Sequence, residues 1–214
     1  MKRLLIYILL IGQISCSTDG PDKNTTDQEI IIDAATEINP IEARTDYREI
    51  VLSEHTLDTF SIPFPEMSML EPLKNHFQPY SVEAKTGQQD GTDYPYIDIA
   101  KDNNATVTYL NFDWENKFKL EEIRIIAPSA VDQYGIRVGD TYQQVIEKRK
   151  ESFSNSTDYH EHTYLYSDNS NIYYELSLNF TIADDKLENI EELVLTEEQL
   201  QKCSVENIIW RNRN

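Results

Sequence analysis

Between Leu120 and Ala127 the chain sets Leu120, Ile123 and Ile125 against Glu121, Glu122 and Arg124, the alternation expected of a strand with one buried face. The same signal recurs along the chain. Tyr47 to Ile62 reads as a first extended stretch, closed by Pro63 and Pro65, and Glu66 to Phe77 then spaces its apolar residues at 67, 69, 70, 73 and 77. That spacing predicts a short helix, with Pro72 in its first turns, where a missing amide hydrogen matters least. Strands are predicted over Tyr80 to Lys85 and Tyr94 to Ala100, joined by a loop holding Gly87 and Gly91. A turn at Asp102-Asn103-Asn104 leads to a strand from Thr106 to Trp114. Gly135 to Thr141 reads as a tight connection into a helix carrying Tyr142, Val145 and Ile146 inward, capped by Asp140 or Thr141. Thr163 to Tyr166 and Ile172 to Asn179 form a hairpin around Ser167-Asp168-Asn169-Ser170-Asn171. A further strand from Leu187 to Leu195, a helical turn capped by Thr196 and running to Leu200, and a last strand from Val205 to Trp210 complete the pattern. Strands outnumber helices and connections are short. The fold class is therefore α+β: a single mainly antiparallel β-sheet domain with two or three short helices.

The first residues break this pattern. Lys2 and Arg3 precede an unbroken apolar run from Leu4 to Ile11. The run is shorter than the roughly 20 residues that cross a bilayer and matches the apolar region of a secretory signal. Ile14-Ser15-Cys16 follows, and Ser17 to Gln28 carries no large apolar side chain, which reads as a solvated tether. Three segments result: a signal peptide over 1–15, a tether over 16–30 and one α+β domain over 31–214.

Composition adds little to the fold but narrows the partners. The 214 residues hold six glycines and thirteen tyrosines, and tyrosine favours strands. Removing residues 1–15 takes Lys2 and Arg3 from the 19 basic residues and nothing from the 38 acids, so the remaining chain has a formal charge of −21. Nucleic acid and anionic headgroups are poor partners for such a chain, since both require clustered Lys and Arg. The acids are dispersed, as in Glu121-Glu122, Asp184-Asp185, Glu191-Glu192 and Glu197-Glu198, and read as a soluble surface.

Ile14-Ser15-Cys16 resembles the lipobox of bacterial lipoproteins, with Gln13 where Leu is usual. The resemblance implies a diacylglyceryl group on the Cys16 sulfur and, after cleavage, an acylated amino terminus. An ordinary signal peptide with a cysteine near its cut is the alternative. Two or more acyl chains give lasting membrane attachment. Ser17, where retention signals carry Asp, implies the outer membrane by resemblance to Gram-negative sorting. Leu120 to Ile126, Tyr134-Gly135-Ile136-Arg137-Val138-Gly139-Asp140-Thr141-Tyr142 and Val205-Glu206-Asn207-Ile208-Ile209-Trp210-Arg211 occur in this order. With the lipobox they resemble a family of RpoE-regulated outer-membrane lipoproteins, a domain of unknown function, over roughly residues 75–213. The family implies a mainly antiparallel domain and supplies no catalytic residues. Gly139 to Val145 is similar, more loosely, to a segment of small barrel-assembly lipoproteins and β-lactamase-inhibitor-like modules.

Few residues suggest chemistry. His160-Glu161-His162 on a strand would aim two imidazoles at one face, but a metal needs a third ligand, with His55 and His76 as candidates. Read plainly, the segment is a solvated lead-in to a strand. Cys203, between Lys202 and Ser204, reads as a small packed residue, and the paired acids as surface charge rather than a catalytic pair. No phosphate loop, Gly-x-Ser-x-Gly elbow or His-Glu-x-x-His helix occurs. Catalytic residues, cofactor and metal are all expected to be none, with Cys16 the lipidation site. Tyr94, Tyr96, Tyr109, Phe112, Trp114, Tyr164, Tyr166, Tyr173 and Tyr174 are either packing or, if several share an exposed face, a binding surface for protein or glycan. The expected function is a non-enzymatic outer-membrane lipoprotein that supports or binds another envelope component. The alternative is a surface-exposed binding module for a protein or glycan, an immunity-type inhibitor included.

Overall fold

The computed structural model describes residues 46–64, 69–89, 91–102, 104–113, 119–182 and 193–213. The signal segment, Cys16 and the tether lie outside them, as do Trp114, Asp184-Asp185 and Glu191-Glu192.

Alternation becomes sheet. Strands β4 (Ser81–Gln89), β5 (Thr92–Ala100), β6 (Thr106–Phe112) and β7 (Leu120–Ile125) form an antiparallel meander. Strands β9 (Ser154–Thr157), β10 (Thr163–Tyr166), β11 (Ile172–Leu178) and β12 (Cys203–Arg211) form a second meander. Pairing of β12 with β7 fuses them into one eight-stranded sheet, ordered β4-β5-β6-β7-β12-β11-β10-β9. A second sheet, unforeseen in the pattern, has four short strands: β1 (Ile50–Leu52), β2 (Thr56–Leu57), β3 (Phe60–Ser61) and β8 (Ala130–Asp132). Its β1–β8 pair is parallel. The extended stretch predicted over 47–62 is thus three short strands with turns between them. Residues 193–195, the described end of the strand predicted over 187–195, are not in a strand.

Helix α1 (Leu70–His76) packs against β4, with Pro72 in its first turn as expected. Helix α2 (Tyr142–Arg149) begins at a reciprocal capping box between Thr141 and Gln144, and α3 (Glu197–Leu200) repeats it with Thr196 and Gln199. Gly139 enters the α2 turn at φ +94°, a left-handed conformation suited to glycine.

One face of the large sheet carries the core. Ile97, Leu110, Ile123, Ile208, Trp210 and Tyr174 are essentially inaccessible to solvent. The small sheet is tied to the large one by Glu54. Its backbone oxygen accepts the Trp210 Nε1–H at 2.9 Å, and its carboxylate accepts the Asn171 amide at 2.7 Å and the Ser170 hydroxyl. A polar cluster lies within this packing. The Tyr174 hydroxyl donates to Asp132 Oδ2 at 2.6 Å and accepts from Arg149 Nη1 at 3.1 Å. Asp132 Oδ1 accepts the amides of Tyr134 and Ile136, both at 2.9 Å. Arg149 also pairs with Glu151, and its guanidinium lies 4.1 Å from the centre of the Tyr134 ring. Cys203 is buried and its thiol is pushed up by burial, in keeping with a packed residue.

Candidate functional site

Strand registry decides what the other face of the large sheet presents. Tyr96 opposes Asn111, which opposes Glu122, which opposes Arg211. Asp98, Tyr109, Arg124 and Ile209 form the next row, continued by Tyr173 and Tyr166. Asn207, Glu175 and Tyr164 form another. Side chains two apart share a face, so Tyr94, Tyr96, Tyr109, Tyr164, Tyr166 and Tyr173 all stand here, each partly exposed. Phe112 and Tyr174, from the same group of aromatics, are buried in the core instead.

The centre of this face is ionic. Arg124 donates from Nε to Glu122 Oε1 at 3.1 Å and from Nη1 to Glu175 Oε2 at 2.5 Å. Arg211 Nε reaches the other Glu122 oxygen at 2.9 Å, while Asn207 Nδ2 donates to Glu175 at 3.0 Å and His162 Nδ1 contacts Glu175 Oε1. The Glu122, Arg124 and Glu175 side chains retain only 12%, 16% and 3% of their exposure. Charges so desolvated persist only when paired, and here each has a partner. Burial alone would lower the proton affinity of Arg124, but Glu122, Tyr109 and Glu175 raise it above the usual arginine range. The Tyr109 hydroxyl is pushed up to about 12, chiefly by burial. It therefore stays protonated at neutral pH and offers both a donor and a ring.

Above this cluster lies an open depression of about 820 Å³. Tyr94 and Tyr109 border it on the β5–β6 side, and Asp158, Tyr159, His160 and His162 on the β9–β10 side. Residues several strands apart border one space, so the sheet curls toward its polar face. Gly87 lies opposite Tyr94 in the β4–β5 ladder, and a Cβ there would come 2.4 Å from the Tyr94 ring. Glycine is what lets that ring lie over the strand. Tyr94, Tyr96 and Tyr109 follow one another at centroid spacings of 6.0 and 6.2 Å.

His160 and His162 lie exposed in the β9–β10 hairpin loop, the lead-in to a strand that the plain reading gave, and not on a strand as a shared metal would require. Asp158 Oδ1 accepts the amides of both at 3.0 Å, and Glu161 adopts φ +68°. Their rings are 6.3 Å apart at 76°. His76 is on α1, which packs on the opposite sheet edge, where it pairs with Asp58. Among the described residues no three His, Cys, Asp or Glu side chains are grouped to hold a metal. Glu122, read as surface charge, is in fact a buried member of the ionic cluster. Its neighbour Glu121 is exposed, as expected. Arg124, Glu175, Asn207 and Arg211 were not singled out. Their only signal was polar residues at strand positions whose neighbours are strongly apolar.

No protein-family model matches the chain, and no curated protein sequence does. Among solved structures it is similar to the crystal structure of the uncharacterized protein yfeY from Escherichia coli. Identity is 16%, the TM-score is 0.53, and the match covers 75% of this chain and 99% of that one. The likeness is one of fold.

Proposed function

We propose that the protein is a non-enzymatic lipoprotein of the RpoE-regulated outer-membrane family, anchored through Cys16, that binds another envelope component in the depression of its large sheet. The observation that carries the binding role is the asymmetry of that sheet. One face is closed by the chain's own small sheet and helices. The other presents six partly exposed tyrosines around a paired ionic cluster and a depression of about 820 Å³, within the usual size of ligand sites. Tyrosine supplies large contact area with little entropy loss and is enriched where proteins bind. The signal-like start and Ile14-Ser15-Cys16 support the anchor.

A photo-cross-linking amino acid placed at Tyr159, which is 62% exposed on the depression, tests the binding role in intact cells. The same probe at Val194, equally exposed and not bordering the depression, serves as control. Cross-links specific to position 159 are expected, and equal or absent products at both positions would refute the role. Alkyne fatty-acid labelling tests the anchor: Cys16→Ala should abolish it, and persistent labelling would exclude Cys16.

A further inference from the structure

Resting on the binding reading above, we infer that the depression recognises a neutral, polyhydroxylated ligand, a short oligosaccharide, rather than an ion or a charged peptide. Charge bookkeeping within the site points that way. Arg124 is held by two carboxylates, and Arg211 gives its Nε to Glu122 while its guanidinium lies near the Tyr164 and Tyr173 rings, so the two cations are balanced in charge by Glu122 and Glu175. The carboxylates are equally engaged. Both Glu122 oxygens meet arginine, and Glu175 meets Arg124, Asn207 and His162. Asp158 takes two backbone amides on one oxygen and the Tyr164 hydroxyl, at 3.2 Å, on the other. Glu121 is the one bordering acid outside this scheme, and a single exposed carboxylate gives a polycation little purchase.

What the site does offer is planar polar groups locked in place beside ring faces. Guanidinium and carboxylate pairs present donors and acceptors at fixed spacing, which suits the vicinal hydroxyls of a sugar ring. Tyrosine faces are electron-rich, and the C–H-bearing side of a pyranose is their natural complement. Tyr109 and Tyr94 supply such faces on one side of the depression and Tyr159, exposed and packed on His160 at 3.8 Å, on the other. Rings on two sides, with fixed polar groups between, fit a chain of sugars better than a single one.

The test uses the full mature chain carrying Cys16→Ala, a glycan array of neutral, anionic and cationic oligosaccharides, and pentalysine as the peptide probe. Hits are titrated at low and high salt by NMR. At least one neutral oligosaccharide should bind, with affinity little changed by salt because no net charge is neutralised. Tyr159→Ala and Tyr109→Ala should each weaken it about tenfold, the scale of one lost ring contact. Tyr109→Phe, which keeps the ring, should stay within about twofold, and Val194→Ala should be silent. Binding confined to pentalysine or to anionic glycans, or neutral binding indifferent to both tyrosine substitutions, overturns the inference. Failure of every glycan while position 159 still cross-links an envelope protein overturns it and leaves the binding role standing. If both experiments fail, both readings fall.

Discussion

Replacing Tyr174 by Phe removes one oxygen from the most enclosed polar cluster of the domain. The hydroxyl makes two charge-assisted hydrogen bonds, to Asp132 Oδ2 at 2.6 Å and from Arg149 Nη1 at 3.1 Å. Burial, followed by the negative charge of Asp132, holds its proton on well above the usual tyrosine range, so the donor is present at any physiological pH. Such bonds contribute roughly 1.5–3 kcal/mol each, and a charged partner left bare in the interior adds to the loss. Arg149 has little slack, because its side chain is 1% exposed and its Nε already lacks a hydrogen-bond partner. Asp132 retains its two amide donors on Oδ1, which limits the damage on that side. The expected destabilisation is about 3–4 kcal/mol, a large part of the 5–15 kcal/mol typical of a domain. At this chain length it corresponds to a fall in Tm of roughly 6–16 °C. Urea unfolding followed by fluorescence of the buried Trp210 should show a lower midpoint with an unchanged slope. In an Arg149→Met background the same substitution should cost less by about 1 kcal/mol or more, since one of its two partners is gone. A loss below about 1 kcal/mol with no coupling to Arg149 would refute the reasoning, for it would mean that water replaces the hydroxyl.

Asp132 gives a pH-dependent prediction. Burial raises its pKa above the ordinary value near 3.8, against the opposing pull of Tyr174, the two amides and Arg149. The native state then binds the proton more tightly than the unfolded one, so this group's contribution falls as pH rises from about 4 through the raised value. Asp132→Asn should remove that fall, and the stability difference between variant and wild type should shift in the variant's favour across the window; a constant difference would refute it. Thr141→Ala should lose about 1 kcal/mol by urea titration, because it deletes the hydroxyl that accepts the Gln144 amide and leaves only the bond from the residue-141 amide to the Gln144 side chain. Gly87→Ala should displace the Tyr94 ring, since the added carbon would lie 2.4 Å from it. The Tyr94 ring resonances should move while those of the core residue Leu165 stay put, and unchanged Tyr94 shifts would show that the strand yields instead.

The elements that were legible are those with a local cause. Thr141-Tyr142-Gln143-Gln144 carries its own capping box, and Leu120 to Ile125 alternates over enough positions to declare a buried face. The small sheet had no such voice. Its parallel pair joins Ile50–Leu52 to Ala130–Asp132, two three-residue strands eighty positions apart, too short for a period to register. Strand β9, Ser154–Thr157, is a polar sheet edge with only Thr157 buried, so hydrophobic alternation was never going to reveal it. The histidine segment is the lead-in to a strand that its plain reading gave. His160 and His162 have strand-like spacing, but Asp158 captures both of their amides and turns the chain into a hairpin loop. Site residues were the hardest to read, because Glu122, Arg124 and Glu175 differ from ordinary solvated residues only through partners supplied by other strands.

That distinction separates the two polar clusters of the domain. Asp132, Tyr174 and Arg149 lie between the sheets, where all three residues are buried, so their interactions act on folding alone. Glu122, Arg124, Glu175 and Arg211 stand on the face that the chain leaves uncovered, and three of the four border the depression. If both clusters served only stability, substitutions in either would lower the unfolding midpoint without touching a ligand. If the open face is a recognition surface, the readouts divide: Tyr174→Phe should weaken folding and leave binding affinity unchanged, whereas Tyr159→Ala, at a site 62% exposed, should weaken binding and leave the midpoint unchanged.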